Sequence, residues 1–162
     1  MSAPAQMRVR VASLRDHDVL CELFDELDAI HRAARPDMFQ AFAGPARTRE
    51  QVARWLSDAG TTILVAESGE GVVGLAVLLT RPASLFAGAV PRKVIELDNL
   101  VVRADQRNKK FGWRLLAATM EWARGRKATH VEVGVHAFNK DARRFYEGFG
   151  FQPSIDRLML AT

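Results

Sequence analysis

Apolar and polar positions along the chain change period several times, and each change predicts an element. Val9 and Val11 alternate with polar neighbours from Met7 to Ser13, as in a half-buried strand. After Ser13, which forms a capping-box pattern with Asp16, the residues Leu20, Leu23, Phe24, Leu27 and Ile30 recur at helical spacing and predict one core-facing stripe. Ala34-Arg35-Pro36-Asp37 ends that helix, because the residue before a proline is pushed out of the α region. A loop over 36–46 leads to Thr48, the cap of a second helix with an inner face of Val52, Trp55, Leu56 and Ala59.

The period then falls to two. Thr61 to Glu67 and Val72 to Thr80 are β-rich runs joined by Ser68-Gly69-Glu70-Gly71, a turn whose glycines suit positive φ. A loop from Pro82 to Pro91 leads into a strand from Lys93 to Val102, where the parity slips: Ile95 and Leu97 share one face, Leu100 and Val102 the other. A β-bulge at Asp98-Asn99 gives this slip, and a strand buried on both faces gives the same pattern. From Gly112, the positions Leu115, Leu116, Thr119, Met120 and Ala123 trace a helix closed by Gly125, followed by a strand from Thr129 to Val135. Strand, helix and strand in succession make a right-handed crossover, so the two strands should lie parallel. Asn139 caps a last short helix with Ala142, Phe145 and Tyr146, and Phe149-Gly150-Phe151 turns into a final strand, clearest at Leu158 to Leu160.

Composition narrows the class. With 162 residues, 48% hydrophobic and 26% charged, the chain suits one globular domain, expected over 7–162 behind a short disordered tail at 1–6. That tail lacks the apolar core of a signal peptide, and no apolar run approaches the roughly 18 residues of a membrane span, so a cytoplasmic protein is expected. Cys21 is the single cysteine and should pack in the first helix; no Cys/His spacing suggests a metal site. The net charge of +4 invites a nucleic-acid reading, but acids crowd 16–28 while bases crowd 103–114, 124–127 and 143–144, which fits a local anion site better than a backbone-tracking stripe. Arg103, Arg107, Lys109 and Lys110 surround the start of the helix at Gly112, where free N–H groups and the helix dipole stabilise a phosphate.

Two motifs make the chain resemble the GCN5-related N-acetyltransferase (GNAT) family. Arg107-Asn108-Lys109-Lys110-Phe111-Gly112 is similar to its pyrophosphate loop Arg/Gln-x-x-Gly-x-Gly/Ala, and Asn139 to Phe151 is similar to its Asn-x-x-Ala-x-x-Phe-Tyr-x-x-x-Gly-Phe signature. The close resemblance covers about Val94 to Pro153. Together with the elements above, it implies an α/β (α+β) fold: a mixed, mostly antiparallel sheet of six to seven strands, about four helices, and a splayed parallel pair at 94–102 and 129–135. Lys110 stands where the family pattern has glycine, so the loop is either slightly displaced or aims the Lys110 ammonium at a phosphate.

The resemblance also implies chemistry. Acetyl-CoA is the co-substrate, with its pantetheine along Leu100, Val101 and Val102 and its phosphates on Arg107 to Gly112 and Trp113. Asn139, Ala142 and Arg143 or Arg144 add contacts, although Asn139 serves equally well as a plain N-cap. An amine acceptor must lose a proton and the leaving thiolate must gain one. Glu96 resembles the family's general base, with Asp98 as second choice; either carboxylate could instead simply pair with arginine. Tyr146 matches the proton donor to sulfur. Asp28, His31 and Phe39 fall where the family builds its acceptor pocket, though His31 alone also reads as a surface or capping residue. Many relatives look dimeric, which leaves a homodimer open without the sequence deciding the oligomeric state, and no nucleic-acid or membrane partner is expected. Non-catalytic acyl-CoA binding on the same fold is the alternative.

Overall fold

The computed structural model describes residues 7–162; the expected tail at 1–6 lies outside the described residues. Five strands, β1 (Arg8–Val11), β2 (Thr61–Ser68), β3 (Gly71–Thr80), β4 (Val94–Val102) and β5 (His130–Val133), form one sheet in the order β1-β2-β3-β4-β5. Neighbours run antiparallel except β4 and β5, which are parallel. The helices are α1 (His17–Ala34), α2 (Arg49–Ser57), α3 (Phe111–Gly125) and α4 (Lys140–Phe149).

Period-two alternation in the central strands feeds two cores, one on each side of the sheet. Leu20, Leu23 and Phe24 of α1 and Val52 of α2 pack with Ile63, Val65, Leu75 and Val77. On the opposite face Leu115, Leu116 and Ala123 of α3 pack with Ala66, Ala76, Leu78, Ile95 and Leu97. Both caps read from the sequence form: Ser13 and Asp16 bond each other's backbone ahead of α1, and Thr48 and Gln51 do so at α2. Ala59 falls beyond α2, which ends at Ser57. At the end of α3 the left-handed residue is Lys127, φ 57°, rather than Gly125.

The expected bulge is present. Val77 pairs with Asn99 and Leu78 with Leu97, so Asp98 is the extra residue of β4. Its consequence is positional: β5 pairs with β4 only from Val94 to Leu97, and from Asn99 to Val102 β4 is paired on the β3 side alone. The two parallel strands splay at the bulge.

The sheet has five strands, not the expected six to seven. No strand forms at Leu158–Leu160; residues 151–162 carry no regular structure, and Ile155, Leu158, Met159 and Leu160 are exposed. A β-rich run becomes a strand only beside an edge that can accept its N–H and C=O groups, and this segment lies beside none.

Candidate active site

A cleft of about 460 Å³ opens where β4 and β5 part, walled by α1, the α1–α2 loop and the start of α4. The loop before α3 lies just past the end of β4. Lys110 has φ 68° and ψ 9°, the left-handed conformation a glycine would adopt with less strain, and Asn108 has φ 62°. Lysine thus stands at the glycine position of the motif in a glycine-like conformation. No side chain caps α3, and among the described residues no backbone N–H from Arg107 to Trp113 donates a hydrogen bond. That leaves a row of donors converging at a helix start, the arrangement that binds phosphate oxygens.

The loop is braced by a residue that sequence reasoning passed over. Gln106 is buried, donates from Nε2 to Glu70 Oε2 at 2.6 Å, and accepts from Lys109 Nζ at 3.2 Å. Its only sequence signal was a neutral amide inside a basic run. Arg107 donates from Nε to the Val102 carbonyl at 3.1 Å, fastening the loop to the end of β4. Arg103 is turned away, paired with Asp105 at 2.7 Å and Glu70 at 3.0 Å. Gly112 is needed for a close approach: a Cβ there would stand 3.3 Å from Phe145 Cζ, so glycine lets α3 and α4 meet beside the loop. Relieving the left-handed strain by Lys110→Gly should raise unfolding stability by about 1 kcal/mol. Urea denaturation checks this, and a loss of stability would show that the lysine contributes more than its backbone costs.

The two carboxylates of β4 part company at the bulge. Glu96 is held by Arg81 Nε at 2.7 Å and does not line the cleft. Asp98 does, and accepts from Asn99 Nδ2 at 2.6 Å. Surrounding protein, and secondly the charge of Glu96, raise the Asp98 carboxyl above its ordinary pKa despite the opposing charge of Arg47.

Tyr146 is 7% exposed and lines the cleft from α4, its ring against Phe145 and Phe151. Burial pushes its hydroxyl up to about 12, so it keeps its proton at neutral pH. Among the described residues the hydroxyl makes no hydrogen bond, and it is not sealed from solvent in the core. Asn139 caps α4, accepting from the Ala142 amide at 3.1 Å, and both line the cleft. Arg143 instead pairs with Glu147 along the outside of α4, and Arg144 with Asp141. Trp113 packs edge-on to Phe149 with ring centroids 4.6 Å apart, joining α3 to α4. Leu100 lines the cleft, while Val101 is buried in the core.

On the side of α1 and the loop after it, Asp28, His31 and Phe39 all reach the cleft. Asp28 is bound by Arg47 at 2.9 Å. The Arg47 carbonyl in turn accepts from His17 Nε2 and from the Cys21 thiol, which ties the loop before α2 to α1. His31 Nδ1 donates to the Leu27 carbonyl at 2.8 Å, leaving Nε2 as an acceptor. Its ring meets Phe39, His136 and Phe138 at centroid distances of 5.4, 5.0 and 5.6 Å. His136 and Arg47, which also line the cleft, were not legible as site residues, because nothing in their spacing links His136 to His31 or Arg47 to Asp28. Burial, then the neighbouring His31, lowers the His136 pKa and favours its neutral form.

The splayed parallel strands, the bulge and the uncapped start of α3 with its free donors set an anion-binding loop beside the cleft. The chain belongs to the acetyltransferase (GNAT) family, whose model matches residues 25–151. A stretch of 100 residues is 33% identical to N-acetyltransferase 8B of Rattus norvegicus, covering 60% of this chain and 42% of that protein, so the chain spans well under half of this relative. The fold is similar to the BH1408 protein of Bacillus halodurans, with TM-score 0.90 and 20% identity over 96% of this chain and 99% of that one. It is also similar to the aminoglycoside N-acetyltransferase AAC(6')-Iy solved with CoA, with TM-score 0.71 and 14% identity over 96% and 98%. Among the described residues no helix is long and apolar enough to cross a membrane.

Proposed function

We propose that this protein transfers an acetyl group from acetyl-CoA to an amine by direct attack in the cleft. The observation that carries the reading is the row of undonated N–H groups from Arg107 to Trp113, set at the end of a β4 segment whose outer edge is open from Asn99 to Val102. The cradle fits a pyrophosphate, and the open edge fits the amide-bearing pantetheine arm as a pseudo-strand. Acetyl-CoA supplies the activated acetyl group, and this chain's residues supply orientation and proton transfer.

Asp98 is the proton acceptor in this reading, directly or through a water. Its carboxylate faces the cleft, whereas Glu96 is engaged by Arg81 and acts on Asp98 through its charge. A raised carboxyl pKa brings the base closer to the operating pH. Tyr146 stands ready to give its proton to the leaving sulfur, because burial keeps it neutral and no protein acceptor competes for its hydroxyl. Asn139 and Ala142 border the thiol end, and Asp28, His31 and Phe39 shape the acceptor side. The acceptor is a small molecule or a peptide amine.

The first test is thermal. Acetyl-CoA at about 100 times its Kd stabilises the fold by about 2.7 kcal/mol, a rise of roughly 5–10 °C in Tm for a chain of this size. No shift at millimolar acetyl-CoA would sink the reading. Binding without free-thiol release against a panel of amines, amino acids, aminoglycosides and peptides would support non-catalytic acyl-CoA binding instead.

A further inference from the structure

Two guanidinium groups line the cleft, Arg32 and Arg47, and only one of them is engaged. Asp28 and Arg32 stand one turn apart on α1, the spacing at which a carboxylate and a guanidinium pair along a helix. Here Arg47 reaches across from the loop before α2 and takes both oxygens of Asp28, at 2.9 and 3.3 Å. Arg35, at the end of α1, is held by Asp37 at 2.6 Å. Arg32 is left half-buried in the cleft wall, with no hydrogen bond or ion pair from its side chain among the described residues.

Asp28 and Arg47 neutralise each other, so one carboxylate, Asp98, and one guanidinium, Arg32, remain in the cleft without an opposite charge bonded to them. Both lie away from the loop before α3. Helix α1 passes that loop at Glu26, which accepts from the Ala104 amide at 3.0 Å and stands 3.8 Å from Arg107. Arg32 follows about 9 Å further along the helix axis, too far along to serve a phosphate held at the loop. On β4, Asp98 lies about 13 Å before Val102, whose carbonyl fastens Arg107. The lining between is largely apolar. His31, Phe39 and His136 meet one another edge to face, with ring centroids 5.4, 5.0 and 5.4 Å apart, and Met38 and Phe42 line the same cleft while 44% and 55% exposed. That is apolar surface for a ligand to cover.

Given acetyl transfer in this cleft, on which the assignment rests, we propose that the acceptor is a free amino acid with a large apolar side chain, its ammonium at Asp98, its carboxylate on Arg32 and its side chain against the rings of His31, Phe39 and His136. A guanidinium holds a carboxylate through two parallel N–H···O bonds, and an unpaired one is free to do so. One proton of the ammonium goes to Asp98 and on to solvent. The nitrogen then forms the new C–N bond as the thioester C–S bond breaks, and a second proton passes from nitrogen to sulfur through Tyr146, giving an N-acetyl amino acid and CoA. A charged side chain would bring a third charge into a cleft whose other ionic groups, Asp28 and Arg47, already satisfy each other.

Free-thiol release from acetyl-CoA should be measured with L-phenylalanine, L-phenylalaninamide, L-lysine and L-glutamate. Wild type should use phenylalanine with a kcat/KM roughly 10–100-fold above its amide, the worth of one charge-assisted pairing, and should use lysine and glutamate less well. Arg32→Gln should bring phenylalanine down to the level of the amide, chiefly through KM, and Arg32→Lys should recover part of the difference. Calorimetric titration of L-phenylalanine into wild type and Arg32→Gln, each with CoA present, reads the same recognition without turnover. Equal use of acid and amide, a preference for the acid that survives Arg32→Gln, or lysine or glutamate used as well as phenylalanine would overturn the amino-acid acceptor, while thiol release with another amine would leave acetyl transfer standing. If no amine releases thiol, phenylalanine binding that depends on Arg32 upholds the assignment of the cleft and removes the reaction, and absence of binding overturns both.

Discussion

Replacing Tyr146 by Phe should lower kcat for acetyl transfer by roughly 10²-fold while leaving the Kd for acetyl-CoA unchanged. The hydroxyl has no hydrogen-bond partner among the described residues, so its removal breaks no structural contact, and the ring remains against Phe145 and Phe151. In the proposed reaction, what disappears is the proton given to the leaving thiolate. With a pKa of about 12, the donor stays protonated throughout the physiological range, and loss of kcat should therefore be independent of pH below about 10. An unchanged kcat, in a variant for which chemistry limits turnover, would remove Tyr146 from the mechanism.

The same substitution has a signature in stability. The folded pKa of about 12 exceeds the unfolded value of 10.0, so the folded state holds this proton more tightly. The associated stability is fully present below pH 10 and is lost as pH rises toward 12, amounting to about 2–3 kcal/mol. Tyr146→Phe should flatten that alkaline loss. Equilibrium unfolding at pH 9 and pH 11 reads it separately from catalysis.

The second large effect belongs to Asp98. Asp98→Asn should cost roughly 10²–10⁴-fold in kcat/KM and abolish the acidic limb of its pH profile. A base works deprotonated, so activity in the wild type falls as pH drops through a pKa lying above the ordinary 3.8. Glu96→Gln should move that limb to lower pH, because it removes the negative charge that helps raise Asp98 and frees Arg81 to lower it. Its loss of rate should be the smaller of the two. If Glu96→Gln abolishes activity and Asp98→Asn does not, the roles are reversed and Glu96 is the base. Stability should move opposite to rate: a raised carboxyl pKa favours the protonated form of the folded state, so that contribution fades as pH climbs above 3.8 through the folded value. Asp98→Asn should accordingly be more stable than wild type at pH 7.

These expectations show how the site divides between sequence and fold. The row of free N–H donors before α3 was legible because those donors are backbone groups at a helix start, fixed by local order alone. The slip in parity between Leu97 and Leu100 was legible, but a bulge and a strand buried on both faces fit it equally until the pairing made Asp98 the extra residue. The choice between Glu96 and Asp98 was not, since parity places both on one face while the inserted residue turns Asp98 to the cleft and leaves Glu96 beside Arg81. The ring contacts of His31 with Phe39, His136 and Phe138 join α1 to the chain after β5, set by the splay of two strands rather than by any spacing.

The sequence by itself determined the order of strands and helices, the caps at Ser13 and Thr48, the slip in parity along β4 and the family, because each depends on periodicity or on residues close together in the chain. Only the tertiary structure decided how many strands enter the sheet, which carboxylate meets the cleft, and how lysine replaces glycine at position 110. Those outcomes depend on partners: a strand needs an edge, a carboxylate takes the nearest guanidinium, and a left-handed residue is tolerated when its neighbours hold it there.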